Sequence, residues 1–133
     1  MRLPWLRALA RVALNDCAPY SADGRFALRA LDEVEVSIVS DRVITDVHER
    51  FMNIPGPTDV ITFEHGEIVM SAQTAQVYAT RYGHPLDHEL ALYIIHGLLH
   101  LNGYEDATAR EAAGMRRLQQ RLLHACLAQV PPL

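Results

Sequence analysis

Residues 87–106, DHELALYIIHGLLHLNGYED, combine the most apolar helical pattern of the chain with its most specific cluster of polar side chains. Aliphatic residues between Leu90 and Leu99 recur so closely that they surround nearly the whole circumference of a helix beginning near Asp87, which is typical of a buried helix. Gly103 ends the helix because glycine adopts the backbone conformations of a chain reversal at little cost. We therefore expect this helix to lie at the centre of the fold.

The flanking sequence predicts one α/β (α+β) domain over residues 1–133, with a small mixed β-sheet of three to four strands surrounded by about five helices. Helical spacing and capping residues predict four further helices, which run from Pro4 to about Asn15, from Ser40 or Asp41 through Phe51, from Ser71 to Tyr82, and over about 107–128. Alternating β-branched residues predict strands at residues 34–39, 59–63 and 67–70. The last two strands should form a hairpin with Gly66 in its turn, preceded by a turn at the proline-rich residues 53–57.

The composition is that of an ordinary globular protein, with 50% hydrophobic and 21% charged residues. The 12 basic residues are all arginines and face 16 acidic ones, so the net charge of −4 provides no general attraction for a polyanion. Any nucleic-acid binding must therefore use a local patch. Cys17 and Cys126 are expected to be buried free thiols, with a disulfide as the alternative. Arginines interrupt the N-terminal apolar residues and no apolar run is long enough to span a membrane, which predicts a cytoplasmic protein.

The central helix carries His96 and His100, which lie one helical turn apart and project from the same face. The reversal at Gly103 brings Asp106 back beside them, which gives the pattern His-x3-His-x5-Asp. Three such ligands are typical of a catalytic zinc site, in which the fourth position is left to water with a pKa near 7. The sequence therefore predicts a hydrolytic metal site at His96, His100 and Asp106.

Two other interpretations of these histidines have to be considered. Histidines can simply satisfy hydrogen bonds inside a core, but burying this pair on the most apolar helix without a metal would be costly. A zinc peptidase of the His-Glu-x-x-His type would have its general base after the first histidine, where this chain has Gly97. The sequence therefore does not identify the general base, and Glu105 and Glu89 are the two candidates.

Three ordered motifs resemble those of the YbeY family of bacterial endoribonucleases. They are TDVITF at residues 58–63, GEIVMS at 66–71 and HGLLHLNGYED at 96–106, and the resemblance extends over about residues 34–122. The corresponding family patterns are Pro-Thr-Asp-Val-Leu-Ser-Phe, Gly-Asp-Ile-x-Ile-Ser and His-Gly-x-Leu-His-Leu-x-Gly-Tyr-Asp-His. Three motifs in the same order and at consistent spacing are specific evidence of membership.

The resemblance implies a zinc-dependent, single-strand-specific endoribonuclease, a hydrolase of phosphodiester bonds with one Zn²⁺ per chain. It implies action in ribosomal RNA processing, 16S rRNA 3′-end maturation and ribosome quality control in the cytoplasm. The implied partners are single-stranded RNA, ribosomal RNA and the small ribosomal subunit with its proteins, and no membrane. By this resemblance Asp106 takes the place of the family's third histidine ligand, and carboxylate oxygens also bind zinc.

The substrate groove is where the chain departs from the family. Met52 and Pro55 stand where the family usually has an arginine, thought to contact RNA phosphate, and an aspartate. Arg50 is the predicted substitute, with Thr58 and Asp59 in the groove or simply capping a turn. The alternative function is a catalytically weak, metal-stabilised, ribosome-associated binding factor. Five further arginines are either phosphate contacts or a solvated helix face, namely Arg81, Arg110, Arg116, Arg117 and Arg121.

Overall fold

The structure is a computed structural model that describes residues 1–132, so residue 133 of the predicted domain lies outside the described residues. Within them, five α-helices and a 3-10 helix surround a three-stranded sheet, which confirms the predicted fold class. The elements are α1 (Leu3–Cys17), the 3-10 helix (Ala27–Ala30), β1 (Glu35–Val39), α2 (Asp41–Met52), β2 (Val60–Phe63), β3 (Glu67–Ser71), α3 (Ala72–Tyr82), α4 (Leu86–Leu101) and α5 (Ala109–Gln129). None of these helices has the length and hydropathy needed to cross a membrane.

The sheet has the strand order β1-β3-β2, with β1 parallel and β2 antiparallel to the central strand β3. Gly66 turns the β2–β3 hairpin with a φ of 109°, as its predicted position required. Its N–H donates to the carbonyl of Phe63 at 2.9 Å. A Cβ at this position would lie 2.7 Å from the carbonyl oxygen of Glu33, so the turn also needs glycine for space.

Local signals in the sequence explain where the helices begin. The Ser40 hydroxyl accepts a hydrogen bond from the N–H of Val43 at the start of α2, and Ser71 caps α3 in the same way. At α5, Thr108 and Glu111 form a reciprocal capping box, which moves the start of the helix two residues beyond the predicted position at 107. The 3-10 helix had no predicted counterpart.

Helix α4 forms the centre of the core, between the sheet and helices α1, α3 and α5. Leu90, Ile95 and Leu99 are completely buried on it. A Cβ added to Gly97 would lie 2.7 Å from Ile68 Cδ1, so this glycine lets α4 approach β3 closely. The close approach places the last two turns of α4, which carry His96 and His100, beside the sheet and strand β2.

Both cysteines are free and buried, as predicted. Burial raises the pKa of the Cys17 thiol and of the Cys126 thiol to about 12. Because the thiolate is the reactive form of cysteine, these two side chains serve as core residues.

Candidate metal centre and its groove

The structure brings the three predicted ligands together at the end of α4. His96 Nε2 lies 3.0 Å from His100 Nε2, and Asp106 Oδ2 lies 3.5 Å from the first and 3.6 Å from the second. The two imidazoles are about three-quarters buried, whereas 46% of the Asp106 side chain is exposed. The three ligand atoms therefore converge on one point that solvent can reach.

Hydrogen bonds on the far side of each ring determine the tautomers. His100 Nδ1 donates to the backbone carbonyl of Tyr104 at 2.8 Å, and His96 Nδ1 donates to Gln119 Oε1 at 2.9 Å. With both protons on Nδ1, each Nε2 presents a lone pair to the other and to the carboxylate. A metal cation bound between the three atoms, or a proton shared by the two rings, would relieve the repulsion in such an arrangement.

The donor set fits a divalent transition-metal cation, and its spacing can be compared with that of a zinc site. Ligand atoms of a tetrahedral zinc site, with bonds of about 2.0–2.2 Å, lie about 3.3 Å apart. The distances between the three atoms are close to that value. Two histidines and one carboxylate are also a common catalytic set that leaves one coordination position open.

The turn after α4 delivers Asp106 to the histidines. Gly103 has a φ of 97°, and the Asp23 carboxylate lies about 3.0 Å from where its Cβ would be. The buried Asn102 ties this turn to the preceding chain, since its Nδ2 donates to the carbonyl of Tyr20 at 2.6 Å and its Oδ1 accepts from the N–H of Leu28 at 3.1 Å. The turn is therefore held from two sides.

A groove of about 830 Å³ opens onto the three ligands. Strand β2, the end of α4 and the α1–β1 connection form its walls. Thr58 and Asp59, the two groove candidates next to β2, both line it, and Met52 adds an uncharged thioether to the lining. The groove also contains Arg25, which the sequence analysis did not single out. Arg50 is not among the lining residues, since its Nε pairs with Asp46 at 3.3 Å on the exposed face of α2.

The sequence and the fold match known proteins. The sequence model of the family described as "Endoribonuclease YbeY" matches residues 6–126. The chain belongs to the YbeY family. The predicted family membership is thereby confirmed.

Curated YbeY relatives and one solved structure support this assignment. "Endoribonuclease YbeY" of Rhodococcus jostii (strain RHA1) is 36% identical, with 74% of this chain and 68% of that protein covered. The protein of the same name from Mycolicibacterium smegmatis is 34% identical and covers 78% and 72%. The solution structure of TM1509 from Thermotoga maritima superimposes with a TM-score of 0.63 over 95% of this chain and 81% of that chain. At 22% identity, this last likeness concerns the fold alone.

The two candidate bases of this YbeY-family chain lie in different environments. Glu105 is exposed and lines the groove. Glu89 is buried near the opposite end of α4, where its Oε1 contacts His84 Nε2 at 2.5 Å. The geometry therefore brings only Glu105 to the groove.

The remaining histidines serve other purposes. His48 holds the turn before β2 through Gly56, His65 pairs with Glu67 at 3.2 Å, and His124 is exposed on α5. Within residues 1–132, the group His96, His100 and Asp106 is the one set of three ligands close enough to share a metal ion.

Sequence reasoning missed the residues that orient the ligands. Gln119 lies 23 positions after His96 on a different helix, and the acceptor for His100 is the backbone carbonyl of Tyr104. Neither of these two acceptors belongs to a sequence pattern that would predict its contact with a histidine. The helical phase of Gln119, four residues after the buried Met115, is the one available signal that it faces inward.

Proposed function

We propose that this chain is a zinc-dependent endoribonuclease that hydrolyses single-stranded RNA at the centre formed by His96, His100 and Asp106. The observation that carries the proposal is the convergence of two Nε2 lone pairs and a carboxylate oxygen beside an open groove. RNA is the proposed substrate because the family and its curated relatives are named endoribonucleases. The whole chain, residues 1–133, is taken as one catalytic domain.

A bound divalent cation would polarise a phosphodiester and lower the pKa of water to about 7. The protein supplies the surroundings for that chemistry. Gln119 and Tyr104 keep the Nδ1 protons of the two imidazoles in place, so that both Nε2 atoms face the centre. Glu105, exposed in the groove, is the proposed general base that accepts the proton of the attacking water.

The groove walls suit an unpaired strand. Thr58 and Asp59 lie on one wall and Tyr104 lies on the other, next to the ligands. A single strand can present its backbone to such a recessed centre, whereas a duplex is held away by its width. Arg50, with 71% of its side chain exposed, pairs with Asp46 outside the groove and takes no part in the proposed strand path.

The proposed biological substrate is ribosomal RNA, with 16S rRNA 3′-end maturation and ribosome quality control in the cytoplasm as the setting. The small ribosomal subunit and its proteins are the proposed partners. A second function, a weakly catalytic ribosome-associated binding factor, is favoured by one observation. The groove carries five acidic residues and the neutral Met52 where RNA phosphates would pass.

The test is cleavage of a labelled single-stranded RNA by the purified chain, with the duplex of the same sequence beside it. We expect about one equivalent of zinc by elemental analysis and cleavage of the single strand, lost on chelation and reduced more than about 100-fold in Asp106→Ala. Asp32→Ala, an exposed carboxylate outside the groove, is the matched control and should retain activity. Equal cutting in wild type, Asp106→Ala and chelated samples would contradict the nuclease proposal. Zinc binding without cleavage would favour the binding factor.

A further inference from the structure

Two arginines from distant parts of the chain flank the metal centre. We propose that Arg25 and Arg116 bind phosphates of the RNA strand on either side of the centre, so that the strand passes over His96 and Asp106 from one cavity into the other. This inference rests on the proposed function in taking RNA as the ligand. It concerns the binding of the strand, so a binding measurement can test it separately from cleavage.

Arg116 belongs to a second, smaller cavity of about 150 Å³ between α5 and the centre. This cavity shares His96 and Asp106 with the groove, so the two cavities meet at the ligands. The orientation of α5 is fixed by the buried Met115 and by the hydrogen bond from His96 Nδ1 to Gln119. Because Arg116 lies three residues before Gln119, it shares the face of α5 that is turned toward the centre.

Arg25 reaches the groove from the α1–β1 connection, and hydrogen bonds hold that connection in place. The Asp23 Oδ1 atom accepts from the Arg25 N–H at 3.0 Å, and the Asp23 carboxylate packs against Gly103. The Ala22 N–H donates to the carbonyl of Asn102 at 3.2 Å. The connection is thus attached to the same turn that delivers Asp106, which fixes the backbone of Arg25 on the groove wall.

The charges around the centre explain why these two arginines matter. Among the described residues that line the groove, Arg25 is the only arginine and five side chains are acidic: Asp23, Asp59, Glu64, Glu105 and Asp106. These carboxylates repel RNA phosphates. Within residues 1–132, neither Arg25 nor Arg116 forms an ion pair with a carboxylate, although the positive charge of Arg25 helps to lower the pKa of the neighbouring Asp23. Guanidinium groups bind phosphate oxygens in bidentate fashion.

The neighbouring arginines provide matched controls. Arg117 is next to Arg116 on α5 and is also exposed, but it lines neither cavity. Arg50 carries the same charge on α2 and also lies outside both cavities. A general electrostatic effect of positive charge would act through all four residues, whereas a defined strand path acts through Arg25 and Arg116 alone.

The experiment measures binding of a short labelled single-stranded RNA to the zinc-loaded chain by fluorescence anisotropy at several salt concentrations. The slope of log Kobs against log salt reports the number of neutralised phosphates, at about 0.7 per contact for a single strand. We expect Arg25→Gln and Arg116→Gln each to reduce the slope by about 0.7, and the double variant to reduce it by about 1.4. Arg117→Gln and Arg50→Gln should keep the wild-type slope. Intact RNA is confirmed by electrophoresis after each titration.

Two further measurements make the result decisive. Circular dichroism and thermal unfolding check that the variants remain folded, and Arg25→Lys and Arg116→Lys should restore the slope because lysine keeps the charge. Slopes for Arg25→Gln and Arg116→Gln that equal that of Arg117→Gln would overturn the inference, as would a wild-type chain that does not bind RNA. Reduced slopes in a chain that binds RNA without cutting it would support the inference while removing the nuclease proposal.

Discussion

A contact between histidine and carboxylate side chains lies at each end of helix α4, and the two contacts differ in what surrounds them. At the N-terminal end, His84 Nε2 lies 2.5 Å from Glu89 Oε1, and only 5% of the Glu89 side chain is exposed. At the C-terminal end, His96 and His100 face Asp106 at 3.5 and 3.6 Å beside a groove of about 830 Å³. We call the contact between His84 and Glu89 the closed pair. The group of His96, His100 and Asp106 is the open triad.

The comparison shows that residue types alone do not define a metal site. In the closed pair, one imidazole meets one carboxylate and the two side chains satisfy each other. In the open triad, both Nδ1 protons are already used by Gln119 and Tyr104, so two lone pairs and a carboxylate converge. Only the second arrangement offers three donor atoms to one cation.

The largest expected effect is the loss of metal binding on removing one ligand of the triad. His100→Ala should lower zinc affinity more than about 100-fold, because loss of a direct ligand exceeds the effect of losing a residue that only orients one. The same change at the other end, His84→Ala, should leave zinc affinity unchanged. Competition with a chromophoric chelator measures both. Equal zinc affinity in His100→Ala and His84→Ala would show that the centre is not the binding site.

For the stability of the metal-free protein, we expect His84→Ala to have a larger effect than His100→Ala. His84→Ala leaves the buried Glu89 carboxylate without its partner, which should lower the free energy of unfolding by about 2 kcal/mol. His100→Ala removes a lone pair from a crowded centre but also loses the hydrogen bond to the Tyr104 carbonyl, so its net cost should be smaller, about 1 kcal/mol. Urea unfolding in the presence of chelator compares the two. A larger loss in His100→Ala would mean that the triad, too, is mainly structural.

Much of this comparison could be anticipated from the sequence, and the reasons are local. The spacing of His96 and His100 and the glycine at 103 determine the geometry of the triad within 11 consecutive residues. The serine caps and the hairpin glycine act over similarly short distances. The fold class and the convergence of His96, His100 and Asp106 are therefore accessible to reasoning from periodicity and turn chemistry.

The parts that were missed depend on distant contacts. Arg25 and Met52 line the same groove, although 27 positions separate them in the sequence. Proximity in sequence favoured Arg50, but the helical phase of α2 directs it to Asp46 instead. Gln119 likewise reaches His96 only because α5 packs on α4. Such pairings arise from tertiary packing, which a single sequence does not reveal.

A smaller effect is expected at the residue that orients His96. Gln119→Leu removes the acceptor for the Nδ1 proton and should weaken zinc binding by about tenfold, or ~1.4 kcal/mol. Gln119→Glu keeps an acceptor and should bind zinc at least as tightly as wild type. The chelator competition assay serves here as well. Unchanged affinity in Gln119→Leu would show that packing alone orients the ring.

The smallest expected effect concerns acid sensitivity at the closed end of α4. Burial against Trp5 lowers the pKa of His88, the positive charges of His84 and Arg2 lower it further, and Asp87 partly opposes them. The unfolded chain, with a histidine pKa near 6.5, therefore takes up this proton first as the pH falls. The free energy of unfolding therefore keeps its full value above about pH 6.5. It decreases as the pH falls, until the pH has passed the lowered pKa of His88 in the folded state.

His88→Gln should remove this part of the pH dependence, an effect of less than about 1 kcal/mol, because glutamine does not titrate. The measurement is urea unfolding of the metal-free chain on both sides of pH 6.5, followed by the fluorescence of Trp5, which is the only tryptophan and stacks on His88 at 6.1 Å. His124→Gln, at an exposed position on α5, is the control and should keep the wild-type profile. If His88→Gln keeps it as well, the acid sensitivity of the metal-free chain arises from titratable groups other than His88.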